Sequence, residues 1–439
     1  MSHIFSSDHE VVQHFNERYA QIIVGDDVQI LEEMTSENGQ RDIRLLKDSA
    51  FRKIHAEKMF AKKKATAIWS MHPERRKYDG FTFEPSKGVD VDGKYNLWFD
   101  FAMKPSPQGC CNLLLRHIKA NVCQGDEELY HWLMCWFADI LQNPLDLKGT
   151  VVIFTGGQGS GKSIVMQVMG QLLGRHYKHF TSAGQALSNF NDDMKDALLV
   201  GIDEGRFVGS YKFVDKLKAQ VVSKTISIEP KGVDRFVMPH YARYMMTSNA
   251  STVVRDDADS RRFAMFHVGN NCKGNTSFFD GMMKELEQGG YAFLLYKLLN
   301  WNIDVDLRRV PQTEALLSQK LDSLPPLEKW LHERLFDGEV MEGRSWCSQV
   351  SSKDWYEDFS LFFEKLKYRN VKPTPTKLGR FLRQALPSIK RKQLASGRVY
   401  QLPSLAEARK HFDIYCSTEW EWLEESCVEP IVFRDSVSE

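Results

Sequence analysis

Apolar runs alternate with amphipathic stretches through the middle of the chain, from about residue 149 to residue 305. The segments TVVIF, DALLVGIDE and YARYMMTSN each contain an apolar run of the length expected for a buried strand. Helical spacing of apolar residues follows these runs. Strands that alternate with helices in this way predict an α/β fold.

One helix is predicted most clearly just before this region. The segment GDEELYHWLMCWFADILQN, residues 125–143, reads as a helix that Asn143-Pro144 stops. Its apolar side chains fall on one stripe, formed by Leu129, Trp132, Leu133, Trp136 and Phe137. We interpret the stripe as part of the core or as a collar that packs against the domain that follows.

Shifts in composition divide the chain into four segments. We predict an N-terminal α+β domain at 1–120, a helical collar or linker at 121–148, the α/β core at 149–310 and a basic C-terminal domain at 325–439. The last boundary falls in a proline-containing stretch between 310 and 325.

Composition and charge indicate an ordinary globular protein in a reducing compartment. The 439 residues are 42% hydrophobic, and 58 basic residues balance 58 acidic ones. The eight cysteines form no CxxC pair, so we expect free thiols without a zinc pattern. The N-terminus lacks an apolar signal segment, and the longest apolar run carries Asp139. We therefore expect a cytoplasmic protein without a membrane partner.

The stretch after TVVIF fits the phosphate-binding pattern G-x-x-x-x-G-K-[ST]. A helix follows it, with Gly174 as its C-cap. The predicted nucleotide-binding residues are Gly156, Gly157, Gln158, Gly159, Ser160, Gly161, Lys162 and Ser163. Backbone N–H groups of such a loop surround a β-phosphate, Lys162 reaches the β- and γ-phosphates, and Ser163 ligates Mg²⁺. ATP and Mg²⁺ are the expected cofactors.

Polar residues at two strand ends complete the predicted catalytic set. We expect Asp203 to hold Mg²⁺ and Glu204 to act as the base for the attacking water, while Asn249 contacts water or the γ-phosphate. Strand-to-loop caps and a turn-forming asparagine explain the same residues without chemistry. Arg261 or Arg262 would reach the γ-phosphate of a neighbouring subunit, or would pair with nearby aspartates on the surface.

Basic residues cluster in two places. Residues 365–398 hold eleven Lys and Arg and no acid, on a predicted helix, TPTKLGRFLRQALP, and a hairpin, IKRKQLASGRVYQLP. The predicted DNA contacts there are Arg380, Arg383, Lys390, Arg391 and Lys392. The alternative is a charged surface balanced by the acidic C-terminal segment. The second basic stretch is FRKIHAEKMFAKKKATAIWSMHPERRKY, in which Trp69 and Tyr78 are interleaved with basic residues. This pattern suits binding of single-stranded nucleic acid, but a solvated helix face followed by a loop explains it equally.

The motifs GGQGSGKS, IDEG, IEPKG, TSN and DSRR follow one another between residues 156 and 262. In this order they resemble the AAA+ module of superfamily 3 helicases. More closely, they are similar to the helicase part of phage and mobile-element primase–helicase replication proteins. The flanking phrases FNERYAQIIVG, HPERRKYDGFTFEP, YNLWFDF and RVYQLPSL extend the resemblance over most of the chain.

The resemblance implies an AAA+ P-loop NTPase core, an N-terminal α+β and helical collar region, and a C-terminal winged-helix-like domain. It also implies a ring hexamer with ATP between subunits and 3′-to-5′ movement on single-stranded DNA. Lys231, at the tip of KTISIEPKGVDRFVMP, would hold the DNA backbone in the ring's channel. Many members carry a histidine near this tip, and this chain does not.

The expected function is therefore an ATP-dependent helicase or translocase on single-stranded and forked DNA in phage or mobile-element replication. The alternative is a DNA-bound ATPase switch or loader that does not unwind. Priming is expected from a separate primase or polymerase, or from a further N-terminal part.

Overall fold

The computed structural model describes residues 5–35, 41–188, 191–203, 211–229, 235–249, 262–313, 317–318, 320–321, 324–366, 372–395, 397–416 and 418–422. These residues form two compact units, one up to residue 313 and one from residue 317 onward. The finer domain boundaries predicted inside the first unit stay predictions.

The N-terminal part of the first unit mixes short helices with small sheets. Its helices are α1 (Asp8–Asn16), α2 (Asp48–Ile54), α3 (Ala65–Met71) and α4 (Asn112–His117), and α4 continues as a π-helical turn at Ile118–Val122. Its strands are β1 (Tyr19–Val24), β2 (Asp27–Thr35), β3 (Arg41–Leu46), β4 (Met59–Phe60), β5 (Lys63–Lys64), β6 (Lys77–Tyr78), β7 (Phe81–Thr82), β8 (Asp90–Val91) and β9 (Lys94–Asn96). They form a four-stranded sheet ordered β3-β2-β1-β6, a three-stranded sheet ordered β7-β9-β8, and a β4–β5 pair.

The aromatic residues of the N-terminal basic stretch belong to the core. Trp69 is fully buried against Phe15, with 5.9 Å between ring centroids, and Tyr78 is buried as well. Arg76 donates to both carboxylate oxygens of Glu33, at 2.9 and 2.7 Å. These rings cannot stack on bases, so the interpretation of this stretch as a single-strand stacking surface is not supported.

The middle of the chain contains a sheet of five parallel strands. The remaining helices of the first unit are α5 (Glu127–Gln142), α6 (Lys162–Leu173), α7 (Ala183–Ala186), α8 (Tyr211–Gln220), α9 (Thr276–Glu285) and α10 (Tyr291–Leu299). The strands are β10 (Val151–Thr155), β11 (Tyr177–Phe180), β12 (Leu199–Ile202), β13 (Thr225–Ile228), β14 (Phe236–Pro239), β15 (Arg243–Ser248) and β16 (Phe263–His267).

The five strands are ordered β11-β12-β15-β10-β16. Every residue of β10, β12 and β15 is buried, which explains why apolar residues follow one another at their centres instead of alternating with polar ones. The prediction of an α/β fold is confirmed by this sheet.

Helix α5 packs into the core of the first unit. Residues 132–141 of α5 are all buried, including four of the five members of the predicted stripe. At its C-terminal end, buried Asp139 accepts a hydrogen bond from Arg243 Nη2 at 2.8 Å. The same Nη2 donates to the backbone oxygens of Asn143 and Asp146, at 2.9 and 3.0 Å. The start of β15 is thereby fixed to the end of α5.

Strands β13 and β14 form the predicted hairpin. Ile226 and Ile228 are buried, while Thr225 and Ser227 alternate with them and are exposed. The Asn191 side chain donates to the backbone oxygen of Ser227 at 2.9 Å and accepts from the backbone N–H of Glu229 at 3.0 Å. The tip of this hairpin, with Lys231, lies outside the described residues.

The second unit has its own core. Its elements are α11 (Pro326–Phe336), β17 (Glu339–Met341), β18 (Arg344–Ser345), β19 (Gln349–Ser351), α12 (Ser352–Lys365), α13 (Pro375–Ala385), β20 (Lys390–Leu394), β21 (Gly397–Gln401) and α14 (Leu405–Cys416). Strands β19, β21 and β20 form an antiparallel sheet in that order. Buried Trp330 and Arg334 both donate to Asp358 Oδ2, at 2.7 and 2.8 Å.

Helix α13 and the β20–β21 hairpin follow the sequence prediction closely. Thr374 caps α13 by accepting from the backbone N–H of Lys377. The apolar side chains that recur at helical spacing along α13 are buried, namely Leu378, Phe381, Leu382 and Ala385.

Two further expectations concern membranes and thiols. Among the described helices, none combines the length and apolar character that a membrane span requires. The seven cysteines within the described residues form no disulfide with one another, and Cys111, Cys123 and Cys135 are buried.

Candidate nucleotide-binding site

The loop between β10 and α6 depends on glycine at defined positions. Gly156, Gly159 and Gly161 have φ values of 144°, 79° and 91°. A Cβ atom at Gly156 would lie 2.8 Å from the backbone oxygen of Val268. Helix α6 begins at Lys162, directly after this loop, so its first N–H groups lie beside the loop and favour an anion.

A cavity of about 630 Å³ opens at this loop. The predicted site residues that line it are Gln158, Gly159, Gly161, Lys162, Ser163, Asp203 and Asn249. Thr276, Phe279 and Asp280 of α9 form another part of its wall. The structure therefore brings together residues from a loop, two strand ends and a helix that are far apart in sequence.

Asp203 is the polar centre of this cavity. Its Oδ1 accepts from Thr247 Oγ1 at 2.8 Å and lies 3.4 Å from Ser163 Oγ, and its Oδ2 lies 2.8 Å from His179 Nε2. A hydroxyl and a carboxylate are oxygen ligands of the kind that Mg²⁺ prefers, so Ser163 and Asp203 fit this ion.

Sequence reasoning did not identify Thr247 and His179. Thr247 lies near the end of β15, two residues before Asn249, and His179 is the third residue of β11. The available signal was their position near the ends of parallel strands, because such ends meet at one edge of a sheet.

Lys162 is held inside the loop. Its Nζ donates to the backbone oxygen of Gly157 at 2.9 Å, and the residue is 7% exposed. The amine therefore lies among the loop's backbone groups, beside the space that the cavity leaves for a ligand.

The outer side of the loop contacts α4 and the π-helical turn. Asn121 Nδ2 donates to the backbone oxygen of Ser160 at 3.0 Å, and His117 Nε2 lies 3.3 Å from the backbone oxygen of Gly161. Asn121 also donates toward His117 Nδ1, so the imidazole hydrogen belongs on Nε2. Burial lowers the pKa of His117, which keeps its ring neutral.

These contacts fix the orientation of two peptide groups. The described chain contains no cis peptide bond, so each N–H points opposite to the carbonyl that precedes it. With the carbonyls of Ser160 and Gly161 held outward, the N–H groups of Gly161 and Lys162 point toward the inner side of the loop. Sequence reasoning missed His117 and Asn121 because they lie about forty residues before the loop, outside any local motif.

Not every predicted residue can be placed. Glu204, Lys231 and Arg261 lie outside the described residues. Arg262 is half-buried, and its Nη1 donates to the backbone oxygen of Lys218 in α8 at 2.6 Å.

With the site's geometry in place, three comparisons relate the chain to known proteins. The profile of a family of unknown function, DUF5906, matches residues 154–262, which include the glycine-rich loop and Asp203. The DNA primase-polymerase of Nitratiruptor phage NrS-1 is 23% identical over 221 residues. That match covers 50% of this chain and 29% of the phage protein, so it spans less than a third of that relative.

Solved structures give the wider match. An apo structure of the NrS-1 C-terminal region superposes with a TM-score of 0.65 at 17% identity, covering 89% of this chain and 98% of that region. A second apo structure of the same region gives 0.64 at 16% identity, covering 91% and 99%. The chain shares the fold of the NrS-1 C-terminal region. Together with the sequence match, this establishes homology to part of a phage DNA primase-polymerase.

The predicted DNA contacts lie together in the second unit and are all exposed, namely Arg380, Arg383, Lys390, Arg391 and Lys392. They do not form one surface, however. Successive side chains of a strand point to opposite faces, so Arg391 projects from one face of β20 and Lys390 and Lys392 from the other.

Proposed function

We propose that this protein is an ATP-driven DNA translocase and helicase of superfamily 3 that acts in phage or mobile-element replication. The observation that carries the proposal is the convergence of Lys162, Ser163, Asp203 and Asn249 on one cavity beside a glycine-rich loop. Homology to the phage primase-polymerase supports a role in DNA replication. In this proposal the five-stranded parallel sheet, ordered β11-β12-β15-β10-β16, is the core of an AAA+ module.

The side chains have separate roles in this proposal. The loop's N–H groups and Lys162 bind the phosphates of ATP, and Asn249 orients the attacking water. Bound Mg²⁺, held by Ser163 and Asp203, would neutralise phosphate charge. His179 and Thr247 hold the Asp203 carboxylate in one orientation before any ligand arrives.

Glu204, Lys231 and Arg261 lie outside the described residues and enter the mechanism as proposals. Glu204 acts as the base for water, and Lys231 holds the DNA backbone in the channel of a ring hexamer. Either Arg261 or the described Arg262 contacts ATP on the neighbouring subunit. For Arg262 this requires that its hydrogen bond to the Lys218 backbone is released.

The decisive experiment measures ATP hydrolysis and strand displacement on duplexes with 3′ or 5′ tails. We expect the wild type to unwind one polarity and Lys162→Ala to lose hydrolysis and unwinding on the order of 100-fold or more. Lys284→Ala removes an exposed lysine of α9 and serves as the matched control that retains activity.

Three outcomes would contradict parts of the proposal. Equal activity in Lys162→Ala would remove the assigned ATP site. DNA-stimulated hydrolysis without strand displacement would favour the switch or loader. A rate of ATP hydrolysis that changes neither on addition of DNA nor in Lys231→Ala would contradict the proposed coupling between ATP hydrolysis and a nucleic-acid chain.

A further inference from the structure

A separate cavity, of about 240 Å³, lies within the second unit between α13 and the β20–β21 hairpin. Three arginines line it: Arg383 of α13, Arg391 of β20 and Arg398 of β21. None of the three has a hydrogen bond or ion pair with any residue that the structure describes. Three permanent positive charges around one small space favour an anionic occupant.

The secondary structure explains why these side chains meet. Arg383 lies one helical turn after Gly379, so both belong to the same face of α13. In the hairpin, Arg391 pairs directly with Tyr400, and Arg398 lies two residues before Tyr400 on the same strand. All three hairpin residues therefore share one face, and that face lines the cavity with α13.

Gly379 keeps the cavity open. A glycine inside a helix weakens the helix, so its presence at this position needs a reason. A Cβ atom at Gly379 would lie 3.1 Å from the Tyr400 hydroxyl oxygen, and a longer side chain would extend into the cavity. The Tyr400 hydroxyl lies at the same wall and offers a neutral donor beside the arginines.

We propose that this cavity binds one phosphate group of a nucleic-acid chain through Arg383, Arg391 and Arg398. Planar guanidinium groups donate two parallel hydrogen bonds to phosphate oxygens, which a cluster of lysines cannot do. A nucleic acid is favoured over free phosphate because all three arginines are exposed, so a phosphate within a longer chain can reach them. Lys390 and Lys392, on the opposite face of β20, add to the positive potential around the same hairpin. Arg398 was not among the DNA contacts predicted from the sequence. It is added to them because it lines the cavity.

The inference deepens the DNA contact of the proposed function, but its test needs no ATP. Binding of a short fluorescent single strand is measured by anisotropy at several salt concentrations, with wild type, Arg383→Gln and Gly379→Leu. Arg380→Gln is the matched control, because Arg380 lies on the same helix and does not line the cavity.

We expect Arg383→Gln to weaken binding about tenfold and Arg380→Gln much less. Gly379→Leu should also weaken binding about tenfold, although it removes no charge, and should reduce the log–log salt slope by about 0.7, the share of one phosphate. Oligonucleotides with and without a 5′-phosphate distinguish the source. Equal affinity indicates an internal phosphate, and a preference for the phosphorylated end indicates a terminal one.

Two results would overturn the proposal. One is wild-type affinity in Gly379→Leu when its thermal unfolding matches that of the wild type. The other is an equal loss of binding affinity in Arg383→Gln and Arg380→Gln, which would indicate a diffuse charged surface. This second comparison remains informative if Gly379→Leu does not fold. If the protein binds DNA but does not unwind it, only the proposed helicase function is contradicted. Failure of the helicase proposal can therefore be distinguished from failure of the phosphate-binding proposal.

Discussion

His176 is one side chain through which we expect pH to act on the stability of the first unit. Its ring is fully buried; Nδ1 donates to the backbone oxygen of Asp196 at 2.8 Å, and Nε2 accepts from the backbone N–H of Phe99 at 3.2 Å. The ring also stacks on Trp98, with centroids 4.7 Å apart. A second proton would have to sit on Nε2, against the Phe99 N–H. Burial lowers the pKa of His176 to about 4.

The size of the effect follows from proton linkage. The unfolded chain, with a histidine pKa of 6.5, takes up a proton before the folded chain does. The contribution of His176 to stability is therefore fully present above the unfolded pKa of 6.5. It is lost as pH falls from there toward the folded pKa of about 4. For this one group the loss reaches roughly 2 kcal/mol at about pH 5.

The substitution His176→Asn tests this value. Asparagine keeps a donor for the Asp196 backbone oxygen but cannot titrate. Free energies of unfolding in urea are compared at about pH 7.5 and about pH 5, and the wild type should lose roughly 2 kcal/mol more than the variant. His9→Asn, which replaces an exposed histidine, is the control. Equal losses in wild type and His176→Asn would refute the reasoning.

Two other substitutions test a close contact of the glycine-rich loop and a buried ion pair of the core. Gly161→Ala would place a Cβ 2.7 Å from the His117 ring, so we expect ATP-analogue binding at least tenfold weaker by calorimetry. Gly159→Ala, also at positive φ but with open space around it, should lose less, and equal losses would contradict the steric argument. Arg243→Met leaves the Asp139 carboxylate buried, so we expect a cost of about 3–5 kcal/mol in urea unfolding. Arg243→Met combined with Asp139→Leu should recover much of that cost; no recovery would contradict the buried-charge argument.

Local patterns were sufficient for several elements. TVVIF predicted a strand, and GKS with the apolar spacing after it predicted the helix that the structure shows at Lys162–Leu173. The segment TPTKLGRFLRQALP predicted the helix α13, which the structure shows at Pro375–Ala385. Such signals can be recognised in the sequence because a few neighbouring residues determine the cap and the apolar face of a helix.

Contacts between distant segments could not be predicted in this way. The pairing of Arg243 with Asp139 and the hydrogen bond from Asn121 to Ser160 join segments with no shared motif. Trp69 and Tyr78 were ambiguous for the same reason, because burial depends on what the rest of the chain places over a ring. Strand order is needed before these neighbours can be known.

The strand order also has a consequence for biosynthesis. Strand β10 is paired on one side with β15 and on the other with β16, so Val151 contacts Tyr244 and Phe263. A ribosome that has finished the glycine-rich loop must still deliver the chain as far as His267 before β10 has both partners. Until then the four apolar residues of β10 have no completed sheet to enter, so a nascent or truncated chain that ends earlier exposes an aggregation-prone segment.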